Sequence, residues 1–478
     1  MSARTPLAAD AGRPGRILTV TTLGIVLVTL NSSAILVALP DLSLHFDVEA
    51  GAADWFVLAN MAALTASVMI FGRLSDMLGR RRIYLWGLGA FVLTCALCIV
   101  APNAIVFTAM RAAQGVAAAM VLANSQALVA DAVSPPKLAA ALGTNIAAAS
   151  AAITLGPTFG GLLVDLFGWP AIFLINLPFG LVALALGFRF VPPDRARRAR
   201  PRFDVGGAVL STLGIVALLF GINRLSFAVD EPLPAIAGIT LGVFLLTAFV
   251  LLERVVASPL VDPVVVWRRE RGTALGATVA NSFTRGGVGV LLMLHSQVAD
   301  GATAMQAGLS VLPIGLCITI GTPIGARLSS AYSTRAAATL GATLVACGAI
   351  ALIVALPTDW LTRLPFVILV GLGIGIFTTP NAAAVLEGVG IERRSVATSV
   401  RSMLFNSGQL FGTSVALLIV TLGGVSTYAA GDVDPAGFQW GMAAVAGAAT
   451  VAAILAACGV GPWRRASAAD STPHLTAE

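Results

Sequence analysis

The chain has 478 residues, 57% of them hydrophobic and 11% charged, with a net charge of +6 at pH 7. A soluble domain carries about a quarter charged residues, so a mean hydropathy of +0.91 places most of this chain in a lipid bilayer. The basic residues are nearly all arginines, most of them set between apolar runs, with no basic patch interleaved with aromatics. That pattern excludes nucleic acid as a partner and reads as membrane topology.

Arg4, Arg13 and Arg16 precede an apolar run from about Ile17 to Pro40. The run is longer than a signal-peptide core and further spans follow, so it is expected to be an uncleaved first helix behind a cytoplasmic tail, residues 1–16. Six spans are predicted first, near 17–40, 54–74, 83–101, 104–130, 138–163 and 171–190. A basic, proline-rich link from Pro192 to Arg202 leads to two spans near 205–223 and 234–252. A second charged link holds Glu253, Arg254, Arg268, Arg269, Glu270 and Arg271. Six more spans follow near 273–298, 304–328, 336–356, 362–386, 396–421 and 437–460.

The expected fold is an all-α polytopic membrane protein with fourteen transmembrane helices. Residues 17–190 form an N-terminal six-helix bundle, 191–271 the links and two extra helices, 272–460 a C-terminal six-helix bundle and 461–478 a cytoplasmic tail. Charge asymmetry supports this count. With the N-terminus cytoplasmic, all but five of the 29 Lys and Arg residues fall in inner segments. Arg224 and Arg363 fall in outer loops, while Arg111, Arg285 and Arg401 lie within spans; the outer loops carry acids such as Asp41, Asp47, Glu49, Asp230, Glu231, Asp432 and Asp434. The positive-inside rule therefore predicts a multi-pass cell-membrane protein with both termini cytoplasmic.

A faint repeat runs through the chain. Gly72-Arg73-Leu74-Ser75-Asp76 leaves the second span, and Ala326-Arg327-Leu328-Ser329-Ser330 leaves the second span of the last six. Two six-helix halves related by an axis along the membrane normal, with substrate between them at the midplane, are one transporter solution. The middle two helices are then an insertion.

Four motifs carry the functional reading. In Gly72 to Arg82, Gly72 permits close helix approach, Gly79 a tight turn, and Asp76 an ion pair or a helix cap. Arg111-Ala112-Ala113-Gln114-Gly115 puts an arginine in a span with Gln114 on the same face, a costly placement that marks a cavity or a partner. Pro157 breaks one bond of the fifth span, while Gly156, Gly160 and Gly161 offer a close-packing face that can bend or slide as a gate. Asn281 and Arg285, one turn apart, are candidates to line the C-terminal half of a cavity, as are Asn406 and Gln409.

On these residues the chain resembles the major facilitator superfamily, in particular its fourteen-helix drug:proton antiporter branch. Gly72 to Arg82 is similar to the signature G-x-L-[AS]-D-x-x-G-R-[RK]; the resemblance implies that Asp76, Arg80 and Arg81 form a latch stabilising an outward-open state. Arg111 to Gly115 resembles R-x-x-Q-G, whose arginine is implied to influence proton transfer. The stretch ending Gly156-Pro157-Thr158-Phe159-Gly160-Gly161 is similar to the exporters' motif G-x-x-x-G-P-x-x-G-G, with Ala152 in place of the first glycine. Phe173 to Gly180, and Met305 to Leu309 with Leu312-Pro313, match further segments of that branch. The first helix departs from L-D-x-T-I-V-N-V-A-L-P: Asn31 stands where the branch has Asp, and Leu36 where it has Asn.

Asn31 hydrogen-bonds but carries no proton, and no predicted span holds an acid at mid-depth. His295, near the outer end of the ninth span, titrates near neutral pH in its ordinary state and is read as a polar lining residue. Arg111, Arg285 and Arg401 suit neutral or anionic amphipathic cargo. The expected activity is export of small drug- or antibiotic-like compounds by alternating access with proton antiport, by a monomer without cofactor or metal. The alternatives are uptake or facilitated diffusion without proton coupling, and a membrane enzyme. Against an enzyme, the three histidines His45, His295 and His474 are scattered, and neither HExxH nor a P-loop is present. The five cysteines, Cys95, Cys98, Cys317, Cys347 and Cys458, sit in apolar runs; Cys95-x-x-Cys98 has no partner pair to make a zinc site.

Overall fold

The computed structural model describes residues 13–194, 204–225, 232–256, 269–387, 389, 394–425, 428 and 436–459. Most of both expected links and tails, and the acids Asp230, Glu231, Asp432 and Asp434, lie outside these residues. Fourteen long helices are described. The N-terminal half holds α1 (Arg13–Ala34), α2 (Trp55–Leu78), α3 (Arg80–Ile99), α4 (Ala104–Ala132), α5 (Pro135–Phe167) and α6 (Asn176–Phe190). The inserted pair is α7 (Val205–Arg224) and α8 (Pro232–Glu253). The C-terminal half holds α9 (Arg269–Leu294), α10 (Ala304–Ala331), α11 (Thr334–Ala355), α12 (Trp360–Leu386), α13 (Arg394–Leu422) and α14 (Ala436–Ala457).

Among the described residues, thirteen helices are long and apolar enough to cross a membrane. The other long helix, α9, has 26 residues, and Arg271, Asn281, Ser282, Thr284 and Arg285 lower its hydropathy. The expected first span, 17–40, is shorter than predicted. α1 stops at Ala34, a tight turn with i→i+3 bonds such as Val37 N–H to Ala34 O follows, and Leu39–Phe46 forms a separate short helix. Pro40 in its first turn has no N–H to give an upstream carbonyl, so a break there costs little. α9 ends in a π-helical turn, His295–Ala299.

Helix starts follow their capping chemistry. Asn103 accepts from Val106 N–H at 2.9 Å ahead of α4, Thr303 and Gln306 form a capping box at α10, and Asp359 caps α12. The Thr362 hydroxyl donates to Asp359 at 2.7 Å, and its hydrogen bonds hold that carboxyl below its ordinary value.

The halves repeat one packing pattern. In the first, α1 packs on α4, α5 and α6, and α4 on α2 and α3, with α3 on α6; in the second, α9 packs on α12, α13 and α14, and α12 on α10 and α11, with α11 on α14. Each pair recurs eight helices later, so the repeat glimpsed at Gly72 and Ala326 extends over both bundles. The halves meet through α5 against α10 and α2 against α13, two contacts that the same repeat interchanges. The α7–α8 hairpin leans on both halves through α7, which touches α2 and α13.

Small residues set these distances, since between helices in lipid close packing and hydrogen bonds do the holding. Gly371 faces the Ile314 carbonyl on α10, and Gly373 the Gly341 carbonyl on α11. This Gly-x-Gly-x-Gly run therefore serves helix packing.

A cleft between the halves and its two ends

The face holding Arg80 is called basic here, and the face holding Asp41, Asp47, Asp165, Asp300 and Asp359 acidic. Between the halves lies a cleft of about 1260 Å³, a volume that includes space open to solvent at its mouth. α1, α2, α4 and α5 supply its N-terminal wall, and α9, α10 and α13 the opposite one. The wall is mostly apolar, with Leu36, Met61, Leu64, Met293, Ile314 and Phe405 among its side chains, and Asn60, Thr154, Asn406, Gln409 and Thr413 supply hydrogen-bonding groups. Among the described residues Arg285 is the one charged side chain of the lining. Its guanidinium carbon lies 5.8 Å from the centroid of the Phe405 ring, a cation–π arrangement, and no described carboxylate pairs with it. Asn281 lies buried one turn away and outside the lining; its Nδ2 has no hydrogen-bond partner among the described residues.

At its acidic end the cleft is sealed by direct bonds between the halves. Asp165 of α5 accepts from the backbone N–H groups of Ala304 at 3.2 Å and Met305 at 3.1 Å, at the start of α10. The Thr158 hydroxyl donates to the Gly308 carbonyl at 3.0 Å. Tyr428 donates to Asp54 Oδ1 at 2.5 Å. Glycines bring the two backbones together: a Cβ on Gly161 would stand 2.3 Å from the Ala304 carbonyl oxygen, and one on Gly308 would stand 2.4 Å from that of Pro157. Gly156 and Gly160 instead face Ser33 and Ala34 of α1, within their own half. The antiporter-like motif therefore does two jobs, with one face set against α1 and Gly161 against α10. Toward the basic end, Gly321 and Gly325 of α10 pack on α12 of their own half. A Cβ on Gly72 would meet nothing within 4 Å, so the close approach expected at Gly72 is absent from this conformation.

Arg111, Asn31 and Gln114 come together behind the N-terminal wall rather than on it. Arg111 is 1% exposed. It donates through Nε to the Phe56 carbonyl at 2.8 Å and through Nη1 to Asn31 Oδ1 at 3.3 Å and to Gln114 Oε1. Gln114 in turn donates to Cys95 Sγ at 3.0 Å. The C-x-x-C thus contributes a packed acceptor, and every described acceptor of the arginine is neutral. Gly115 lets α2 approach, its missing Cβ lying 2.2 Å from the Asn60 carbonyl oxygen.

At the basic end Arg80 joins three helices. It bonds Asp76 at 3.0 Å and Asp131, on the last turn of α4, at 2.8 Å. Gly79 has φ +109°, a left-handed value that glycine alone adopts readily, and Asp194 fills the space where its Cβ would be. The Asp194 carboxylate accepts from Arg81 N–H at 2.9 Å and Arg82 N–H at 3.3 Å. The Arg81 side chain donates to the Phe188 carbonyl at 2.9 Å. The sequence motif located Asp76 and Arg80; Asp131 and Asp194, some fifty and over a hundred residues away, carried no local signal.

His295 lies away from the cleft. It packs edge-on against Phe438, with ring centroids 5.1 Å apart, and its Nδ1 is 3.5 Å from Asp300. Arg363, expected in an outer loop, is 4% exposed and grips Asp300 with both terminal nitrogens at 2.6 and 3.0 Å. Sequence reading missed Asp54 as well, because it stands at the very head of its span; the signal was an acid immediately ahead of Trp55.

Comparison with known proteins agrees with this geometry. Residues 21–413 match the family model described as Major Facilitator Superfamily. The lincomycin resistance protein of Streptomyces lincolnensis is 31% identical over 478 residues, covering 98% of this chain and 96% of its own. The multidrug resistance protein Stp of Mycobacterium tuberculosis (strain CDC 1551 / Oshkosh) is 31% identical over 402 residues, 83% of this chain and 74% of its own. Among solved structures, a bacterial homologue of the human lysosomal transporter Spinster, in an inward-facing and occupied conformation, aligns with a TM-score of 0.65 at 13% identity, covering 94% of this chain and 97% of that one.

Proposed function

The chain belongs to the Major Facilitator Superfamily, and from that premise we propose that it exports small, neutral or anionic amphipathic compounds across the cell membrane by alternating access. The observation that carries the reading is the cleft between the halves: apolar, dotted with amides and hydroxyls, and charged by Arg285 alone among its described lining. An apolar wall with a few fixed polar groups suits drug-sized molecules. A lone arginine against an aromatic ring favours a carboxylate, sulfonate or electron-rich ring over a cation.

The basic face is the cytoplasmic one, by the positive-inside rule, and the described conformation is open inward. The seal at Asp165, Thr158 and Asp54 and the unpacked Gly72 support this assignment. Exchange to the outward-open state parts α5 from α10 at Gly161 and Gly308 and closes the basic end around Gly72. Export rather than uptake is supported by the Gly156–Gly161 motif and by relatives named for resistance to lincomycin and to multiple drugs.

Proton antiport supplies the driving force on this reading. One observation favours a facilitator instead: Asn31 gives Arg111 a neutral partner where the family's branch has an acid. Efflux of a fluorescent amphipathic anion from cells making this protein, with and without a proton uncoupler, separates the two. Loss of efflux with the uncoupler is expected; efflux indifferent to it and running only down the substrate gradient would establish the facilitator. Absence of any efflux, with accumulation instead, would overturn export.

A further inference from the structure

Asp54 stands six residues before Asn60 of the cleft wall, about 9 Å nearer the acidic face at helical rise. It is 1% exposed. Its carboxyl caps no N–H of α2; its described partner is the Tyr428 hydroxyl, at 2.5 Å, from the opposite half. Tyr428 is equally buried, at 1%. Burial first, and the facing carboxyl second, push its phenol well above the ordinary value, so it keeps its proton and acts as donor.

Among the described residues, the elements packed around this pair set no cation against Asp54. The short helix Ala50–Ala53 is apolar. α7 brings Asn223, which accepts from Trp55 Nε1 at 3.0 Å and donates to the Gly51 carbonyl at 3.0 Å. Arg224, next along α7, lies against the Phe220 ring. α13 brings Thr421, whose hydroxyl donates to the Leu417 carbonyl at 3.0 Å. Tyr428 is the one titratable group that acts on Asp54, and among the described residues no Arg, Lys or His pairs with it.

An ionised carboxylate offers about four acceptor sites and is costly to bury without a cation or several donors. A neutral acid with its proton on Oδ2 still accepts from Tyr428 on Oδ1. We propose that Asp54 is a proton-binding site that locks the acidic face, the sealed conformation holding one proton on its carboxyl. On sealing, the carboxylate takes a proton from water on the acidic side and an O–H bond forms. When the halves part and Tyr428 withdraws, water reaches the carboxyl, the O–H bond breaks and the proton returns to that water. The proposal rests on the alternating-access reading above and is independent of whether transport itself is proton-coupled, since the lock operates in an antiporter and a facilitator alike.

The test uses full-length protein in lipid nanodiscs. Infrared difference spectra over a pH titration are expected to show a protonated-carboxyl band that disappears as pH rises, is missing in Asp54→Asn and shifts in Tyr428→Phe. Spin labels at Leu44→Cys and Leu361→Cys, exposed on the acidic face of either half at 61% and 75%, read the separation, with Cys317, Cys347 and Cys458 replaced by Ser. The label distance is expected to lengthen with the same midpoint as the band, and to stay short at every pH in Asp54→Asn. A band that survives in Asp54→Asn, or pH-driven opening that survives in it, overturns the lock while leaving alternating access intact. A distance that never changes, even in Gly161→Val, whose side chain would wedge the same face, sinks alternating access itself.

Discussion

Asp165 of α5 holds the backbone N–H of Ala304 at 3.2 Å, so a carboxylate from one half caps a helix of the other. On the alternating-access reading, this bond breaks when the acidic face opens. A charge at a helix N-terminus is worth about 0.3–1 kcal/mol, and Asp165→Asn keeps an acceptor while removing the charge. The ratio of sealed to open protein is expected to fall roughly twofold to fivefold. Labelling of a cysteine placed at Met293 on the cleft wall, by a reagent added from the acidic side, measures that ratio; an unchanged rate would show that the cap does not hold the seal.

Gly161 admits no side chain in the sealed state, because its Cβ would lie 2.3 Å from the Ala304 oxygen and 2.6 Å from the Met305 Cα. Both are backbone atoms and cannot rotate away. Gly161→Ala is therefore expected to open the acidic face with little loss of helical content, and to abolish turnover while leaving ligand access from the acidic side. Gly72→Ala makes the opposite case, since a methyl there meets nothing within 4 Å. It is expected to leave the described state intact and to hinder the alternative one, a difference that the labelling assay at Met293 reads with opposite sign.

On the proposed reading, Arg285 provides the charge that selects cargo. A hydrogen bond to a charged group is worth about 1.5–3 kcal/mol, so Arg285→Gln is expected to weaken binding of an amphipathic anion such as anilinonaphthalene sulfonate roughly 10-fold to 100-fold. Arg285→Lys is expected to recover part of that affinity, since it restores the charge without the planar, bidentate guanidinium that lies over Phe405. A rhodamine cation is expected to bind no more weakly to Arg285→Gln than to the wild type. Fluorescence titration of purified protein decides this, and a variant that loses anion and cation alike would point to damaged packing.

Arg111 tests the substitution that most separates this chain from its branch. It is buried among neutral acceptors, and Arg111→Leu leaves Asn31 and Gln114 without their donor. Removing one member of a buried polar cluster costs on the order of 3–5 kcal/mol where a charge is left behind and less where, as here, amides remain. A loss of about 1–3 kcal/mol is expected for Arg111→Leu. Asn31→Asp instead sets a carboxylate beside the guanidinium, at a position 3.3 Å away in the present structure. It is expected to raise the melting temperature and make efflux more sensitive to an uncoupler; unchanged coupling would show that the first-helix acid is not what couples this protein to protons.

Much of the architecture was legible because lipid is an unforgiving solvent. A backbone that must satisfy its own hydrogen bonds there forms helices, so apolar run lengths located the spans and arginine placement located one face. The sequence reading erred where a boundary depended on a turn, as at Pro40. The site was legible only in part. Arg285, Asn406 and Gln409 were identified as cleft candidates from composition along a helix, and all three line it. Arg111 and Gln114 were read as one face of a span and Asn31 from the resemblance, and helix rotation puts all three behind the wall.

The order of residues by itself determined that this chain is a bundle of membrane helices, doubled, with glycines and a proline where helices must approach or bend. Only the tertiary structure decided which glycine faces which half, that Arg80 reaches Asp131, and that Asp54 meets Tyr428 across 374 positions of sequence. The physical reason is range. Hydropathy and helical periodicity act within a turn or a span, so local sequence carries them. A bond between halves depends on the rotation and tilt of helices set by all their neighbours together, and no short stretch of the chain encodes it.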